Sequence, residues 1–217
     1  MEFEHDQATR QSWDQLAERY RAAFMDLDLY DDSYDALCAR VSQVGARVLE
    51  VGCGPGNVTR ALLQRRPDFR IHAIDYAPSM VALARTLVPG ATFDVMDARA
   101  IGSLATRFEA AVVGFCLPYL SSDAARQLIH DAARLLVPGG VLYLSTIASE
   151  VARSGYETSS KGDARMYVHY HPTDDLMAAM TAAGFSGTEV LHLAYTKADG
   201  TPSTHVVLLG ALAGSQM

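Results

Sequence analysis

Cysteine is scarce in this chain: of 217 residues, three are cysteines, Cys38, Cys53 and Cys116. An odd number, widely spaced and without a C-x-x-C, argues against a disulfide framework and against a zinc site, so no metal is expected. Reduced thiols fit a cytoplasmic setting. Long apolar runs are missing too. None approaches the roughly 18–20 residues that cross a bilayer, and the opening MEFEHDQATR is polar and acidic rather than a signal peptide. No membrane role is expected. Positive charge is short: 18 Lys and Arg against 25 Asp and Glu leave a formal net charge of −7. A nucleic-acid partner needs a basic stripe to offset phosphate charge. Arg65, Arg66 and Arg70 form only a small cluster, which reads as a solvated surface, so no nucleic-acid partner is expected. Internal repeats and low-complexity tracts are absent as well.

What is present is a regular alternation of apolar runs and helical patterns. The composition, 49% hydrophobic and 20% charged, is that of a globular chain, and its length suits a single domain, 1–217. Strands are predicted at Arg47–Val51, Arg70–Ile74, Ala91–Val95, Ala110–Phe115 and Val141–Thr146. Amphipathic helices are predicted over 57–66, 78–87 and 122–136, the last ended by VPGG at 137–140. This order gives an α/β, doubly wound, mostly parallel sheet with helices on both faces. Toward the C-terminus, Thr173 is expected to cap a helix that ends near Gly184. Runs at Thr188–Tyr195 and His205–Leu212 then pair as an antiparallel hairpin across TKADGTPST. Residues 1–44 read as a helical cover, with Trp13, Leu16, Tyr20, Ala23 and Phe24 near one face. Residues 45–147 form the core, 148–172 a lid-like insertion, and 173–212 the final helix and hairpin.

The stretch LEVGCGPGN runs an apolar strand into Gly52, Gly54 and Gly56. Glycine lets the backbone approach a ligand closely, and the helix opening near Asn57 points unpaired N–H groups at the same place. In an open parallel sheet this is where ligands bind, beyond the carboxyl ends of the strands. The spacing is G-x-G-x-G, whereas a dinucleotide fold usually shows G-x-G-x-x-G. Glu50, two residues before the first glycine, repels a pyrophosphate and suits an ammonium or sulfonium. Asp75 closes the second strand and can accept both hydroxyls of a ribose. Asp97 closes the third and can accept from an adenine amine. Tyr76, Ala77 and Met80 offer flat, apolar surface for a base. Each has a plainer reading: Asp75 as cap of the helix at Pro78, Asp97 as partner of local backbone, Met80 as core.

With these residues in view, the chain resembles the class I S-adenosylmethionine-dependent methyltransferases of small-molecule type. VLEVGCGPGNVT is similar to that family's glycine-rich motif, AIDYAPSMVALAR to its ribose-binding acidic motif, DVMDARAI to its adenine motif, and LLVPGGVLYLST to its post-catalytic strand. The likeness runs over residues 12–212, in the family's order. It implies S-adenosyl-L-methionine as cofactor and a seven-stranded sheet of order 3-2-1-4-5-7-6 with the last strand antiparallel. It implies that Gly52, Gly54 and Gly56 lie against the methionine part. Asp75 would hold the ribose, and Asp97 and the Ala98 N–H the adenine, while Glu50 would act through the loop or water. Tyr20 matches a first-helix tyrosine that reaches the cofactor carboxylate.

Methyl transfer needs alignment more than any particular catalytic group. A small-molecule acceptor is expected beyond the fourth strand, near Phe115, Cys116, Pro118 and Tyr119, with Tyr119 as a catalytic candidate that contacts cofactor or acceptor and Phe115 as a cofactor contact. The chain shows no motif there for gripping a nitrogen, so O- and N-methylation both stand. The lid SGYETSSKGDARMYVHYH carries Tyr167, His169 and His171 on one face if extended. His169 and His171 are then candidates for a general base, with surface or loop-anchoring histidines as the alternative. Arg165 is a candidate partner for an acceptor carboxylate. Two other functions compete: a non-catalytic S-adenosylmethionine-binding partner protein, and a nicotinamide-dependent oxidoreductase, which the glycine spacing and Glu50 disfavour. A monomer or a homodimer is expected.

Overall fold

A computed structural model describes residues 2–159, 162, 164–197 and 199–214. Positions 160, 161 and 163 of the expected lid and position 198 of the expected turn lie outside the described residues. The chain opens with α1 (Glu2–Phe24) and α2 (Asp31–Arg40). Strands and helices then alternate: β1 (Arg47–Val51), α3 (Asn57–Arg65), β2 (Arg70–Asp75), α4 (Pro78–Leu87) and β3 (Thr92–Val95). A 3-10 turn (Ala98–Ser103) leads to β4 (Phe108–Gly114), and a second (Leu117–Tyr119) to α5 (Ser122–Leu135) and β5 (Leu136–Ile147). The remainder is β6 (Arg153–Thr158), β7 (Arg165–Tyr170), α6 (Thr173–Ala182), β8 (Phe185–Thr196) and β9 (Pro202–Leu212).

Seven strands form one sheet in the order β3-β2-β1-β4-β5-β9-β8. Strands β1 to β5 pair in parallel, and β9 runs antiparallel between β5 and β8. Numbering only the strands of this sheet gives 3-2-1-4-5-7-6, the order the family resemblance implies. The order reverses between β1 and β4, so the crevice at their carboxyl ends is the natural ligand site. Each inner strand is apolar on both sides because helices cover both faces. One core joins Leu49, Val51 and Val113 to Leu128 and Ile129 of α5 and Met180 of α6. The other joins Val48, Ala73 and Val112 to Leu37 of α2, Leu62 of α3 and Val81 of α4.

Three boundaries differ from the sequence expectation. VPGG does not separate α5 from the next strand. It lies within β5, where the register shifts between Phe108 and Ala110 on β4. A side chain at Gly140 would lie 2.9 Å from the Val137 carbonyl, so the chain there is an inward kink of the strand. Thr173 is the first residue of α6 rather than its cap: Pro172 precedes it and no side-chain cap bond forms. The lid is an antiparallel hairpin, β6–β7, paired from Arg153↔Tyr170 to Thr158↔Arg165. Its alternating polar and aromatic residues had the strand period, which its glycines and serines masked.

Candidate functional site

The glycine turn is shaped by contacts on both sides. Gly52 has φ +75°, and a Cβ there would lie 2.8 Å from Cys116 Cβ, so β1 and β4 approach too closely for a side chain. Gly56 has its bare side against Val88 and Ala84 of α4, at 3.1 and 3.5 Å. Gly54 alone faces the cover, with Tyr20 Cε1 3.6 Å from where its Cβ would be. Packing within the sheet and on the α4 side therefore accounts for two of the three glycines, and Gly54 is the one in contact with the cover.

Two buried carboxylates stand behind this turn. Glu50, 1% exposed, accepts a 2.6 Å hydrogen bond from the Thr59 hydroxyl on Oε2, while its Oε1 is buried without a partner. Burial raises its pKa to about 8, opposed by the Thr59 bonds and helped by nearby Asp75. Asp75, 9% exposed, accepts from Gly54 N–H and from Ala77 N–H, both at 2.9 Å. It therefore ties the end of β2 to the glycine turn, and the cap position of α4 belongs to Ala77. Burial lifts Asp75 to about 6 against these two bonds. A carboxylate has about four lone-pair positions, so each oxygen retains capacity for a hydroxyl donor.

α1 closes over this region. Trp13, Tyr20 and Tyr76 pack around Ala17, Ala77 and Met80. Trp13 meets Tyr20 and Tyr119 edge-on, each at 5.4 Å. The Trp13 indole N–H and the Tyr76 hydroxyl are buried without partners, and such groups favour a hydrogen-bonding ligand. Asp14 on α1 accepts from Ser79 N–H at the start of α4, at 2.9 Å. Asp97 accepts from the backbone and guanidinium of Arg99, at 2.9 and 2.6 Å. Burial raises its pKa, yet the Arg99 bonds prevail and hold it below the usual range. The local role anticipated for Asp97 is thus realised, with Ala98 opening the 3-10 turn behind it. A cleft of about 250 Å³ opens elsewhere, between the α1–α2 link and α3, and Asp75 does not line it.

The lid histidines lie in a ladder of rings. His5 of α1 stacks on Tyr167 at 4.2 Å, Tyr167 meets His169 at 5.2 Å, and His169 meets His171 at 6.3 Å. The shared face read from the sequence is real. His171 is 2% exposed, and its Nε2 bonds the Leu117 carbonyl at 2.9 Å, which holds the lid to the turn after β4. Burial lowers its pKa. Arg165 lies over the Tyr156 ring, 4.2 Å from its centroid. The Cys116 and Cys53 thiols are both raised by burial, which leaves them poor nucleophiles. Among the described residues, no group of three or more metal-ligating side chains forms, and no helix is long and apolar enough to cross a membrane.

The structure assembles a second group that the sequence reading missed. Phe115, directly after β4, takes φ +51°, a strained conformation for a bulky residue. Its N–H reaches the Ser145 carbonyl and hydroxyl, at 3.1 and 3.2 Å. Around it stand His205 at 4.8 Å and Tyr30 at 5.5 Å between ring centres. Tyr195 stacks on His205 at 4.5 Å. The usable signal was topological. His205 lies near the start of the antiparallel strand β9 and pairs with Ile147, the last residue of β5, so it sits at the ligand end of the sheet. Tyr20 links the two groups, because its phenol is raised first by burial and then by Asp75 and Tyr195.

These residues fit a nucleoside that carries a cation. The orphaned Glu50 oxygen and the free lone pairs of Asp75 call for positive charge and hydroxyl donors, and Tyr20 of the cover closes over Gly54 on that side. Residues 48–140 match the family described as a methyltransferase domain. Trans-aconitate 2-methyltransferase of Methylobacterium nodulans is 38% identical over 110 residues, 49% of this chain and 40% of that protein. N-demethylindolmycin N-methyltransferase of Streptomyces griseus is 28% identical over 205 residues, 80% of this chain and 84% of that protein. The chain thus spans less than half the length of some of the curated relatives it matches, and most of another. In fold it is similar to Burkholderia thailandensis 1,6-didemethyltoxoflavin-N1-methyltransferase, solved with 1,6-didemethyltoxoflavin and S-adenosylhomocysteine bound. That match has a TM-score of 0.73 and 18% identity over 98% of this chain and 91% of that one.

Proposed function

We propose that this chain, which belongs to the class I S-adenosylmethionine-dependent methyltransferases, transfers a methyl group from S-adenosylmethionine to a small-molecule acceptor. The observation that carries the reading is the pair Glu50 and Asp75: two buried carboxyl groups behind the glycine turn, one oxygen of Glu50 unpartnered. A cation bound at the turn would draw the proton off Glu50 and pair with the carboxylate, whereas a pyrophosphate would not, which counts against nicotinamide chemistry. S-adenosylmethionine supplies an electrophilic methyl on a positively charged sulfur. The chain's own residues bind, orient and exclude water. Asp75 presents lone pairs for the ribose hydroxyls while fixing the Gly54 backbone. Tyr76, Met80 and Trp13 supply flat and apolar surface, and Ala98 and Asp97 border the same edge at the end of β3. Glu50 balances charge near the turn without touching the acceptor.

Tyr119 lies at the acceptor end, edge-on to Trp13, and serves there as a wall. His171 positions the turn at Leu117 through its bond to that carbonyl, and His169 packs above it. A small acceptor is supported by the closed cover of α1 and β6–β7, and by relatives whose names specify small molecules.

The test is calorimetry with S-adenosylmethionine, followed by incubation of the methyl-labelled compound with a metabolite extract and mass analysis of products that gain one methylene unit. Binding without any methylated product would favour the rival reading of a partner protein that holds the cofactor and does not turn over. Absence of binding would refute both readings, and NADH should give no heat.

A further inference from the structure

We propose that His205 is the catalytic base of this site, and that the acceptor is a flat molecule whose methylated atom carries an ionisable O–H or N–H. This rests on the methyltransferase reading above and adds the acceptor class.

Position comes first. The ligand crevice lies at the carboxyl ends of the strands, and the acceptor is expected just beyond β4. His205 pairs with Ile147, where β5 ends, and lies against Phe115, where β4 has just ended. Its ring is 7% exposed. Tyr30 bonds its Nδ1 at 2.5 Å, and among the described residues Nε2 has no hydrogen-bond partner. Tyr195 stacked on one face fixes the ring plane. A buried imidazole with one nitrogen anchored and the other free is built to exchange a proton. The two lid histidines are placed otherwise: His171 is tied to a carbonyl, and His169 lies in the ring ladder of the hairpin.

Tyr30 is then a positioning residue. When Nδ1–H donates to the Tyr30 oxygen, Nε2 holds the free lone pair. Burial keeps the Tyr30 phenol protonated and neutral, so in this tautomer its own O–H turns away from His205 and the oxygen accepts from Nδ1–H. Burial also lowers His205 to about 4, with Lys197 adding to the effect. The titratable groups facing it are Tyr30 from the α1–α2 link, Tyr195 from β8 and Lys197 just beyond β8. The imidazole is therefore neutral and able to accept at pH 7. In the step itself the acceptor O–H or N–H bond breaks and its proton goes to Nε2. The lone pair thus released forms the bond to the methyl carbon, and the carbon–sulfur pair stays on sulfur. The imidazolium so formed is disfavoured by the same burial and by Lys197, so it gives its proton up to water once transfer is complete. Phe115, Tyr30 and Tyr195 all pack on the His205 ring, so an acceptor that reaches Nε2 must enter between aromatic rings, which selects a flat molecule.

The test compares wild type, His205→Gln and Tyr30→Phe, supplied with methyl-labelled S-adenosylmethionine and a metabolite extract. Binding of S-adenosylhomocysteine is measured alongside by calorimetry. His205→Gln should lower labelled product about 100-fold at pH 7, the lower end for loss of a general base, with S-adenosylhomocysteine affinity within about twofold of wild type. The deficit should shrink by about tenfold per pH unit as the acceptor ionises unaided. Nitrogen-resolved NMR should show the Nδ1–H tautomer of His205 in wild type and its loss in Tyr30→Phe, a change that a packing role would not produce. Unchanged product from His205→Gln overturns this proposal alone. So does the Nε2–H tautomer in wild type, whichever variants fold. Failure of wild type to bind S-adenosylhomocysteine, or to make any methylated product, overturns the methyltransferase reading with it.

Discussion

Replacing Glu50 with glutamine should stabilise the protein above neutral pH and leave it nearly unchanged in acid. In the unfolded chain this carboxyl releases its proton near the ordinary value of 4.5. In the fold, burial holds the proton to about 8. Between those values the folded state binds a proton that the unfolded state has lost, so stability falls as pH rises. The contribution is fully present below about 4.5 and is lost as pH passes through about 8. At 1.36 kcal/mol per unit, a span of about 3.5 units amounts to about 5 kcal/mol. Glutamine imitates the protonated acid: it can still accept from Thr59, and it cannot ionise. Wild type and Glu50→Gln should therefore coincide near pH 4.5 and diverge to about 5 kcal/mol by pH 9. Urea unfolding at fixed pH intervals from 4.5 to 9 measures this directly. Parallel stability curves across that range would mean that Glu50 is ionised in the fold without a cation, and the electrostatic argument for the site would collapse.

Asp75→Asn should lower affinity for S-adenosylmethionine by about 100-fold, since two charge-assisted bonds weaken; titration calorimetry reads this, and unaltered affinity would retire the ribose role. S-adenosylmethionine binding at pH 7 should release about one proton from wild type and none from Glu50→Gln, as linkage requires when a cation lowers a raised carboxyl pKa. Calorimetry in buffers of different ionisation enthalpy counts it. Gly52→Ala should lower stability by about 2–3 kcal/mol, because φ is +75° and its Cβ would lie 2.8 Å from Cys116 Cβ. A second substitution, Cys116→Gly, should recover part of the lost melting temperature. His171→Gln should flatten the acid limb of stability: burial lowers this histidine from its usual 6.5, so its contribution is present above 6.5 and is lost as pH falls below it.

The sheet was legible because β1, β2 and β4 are mainly apolar runs that end at a glycine or an acid, and the helices between them have their own period. Arg47–Val51 matched to the residue, and Arg70–Asp75 differed by one position. Asp75 was visible as a strand-end acid. Its double bond to Gly54 and Ala77 was not, because it depends on where β2 places the chain beside β1. VPGG misled because Pro-Gly-Gly signals a turn in sequence, while the neighbour across β4 decides that the strand continues. The aromatic group around His205 was hidden for a deeper reason. Tyr30, Phe115, Tyr195 and His205 come from four separate elements, and only the antiparallel insertion of β9 beside β5 brings them to one end of the sheet.

The first helix is fastened at two points far apart in the fold. Ser12 donates to the Arg165 carbonyl at 2.7 Å, and Thr9 accepts from Tyr167 N–H at 2.9 Å, so one stretch of α1 is bound to β7. Asp14, within one helical turn of Ser12, is bound to Ser79. A rigid rod clamped in this way has no independent hinge between its clamps. Whatever uncovers the adenosine side must drag the hairpin along, so the two halves of the crevice are mechanically geared to a single motion.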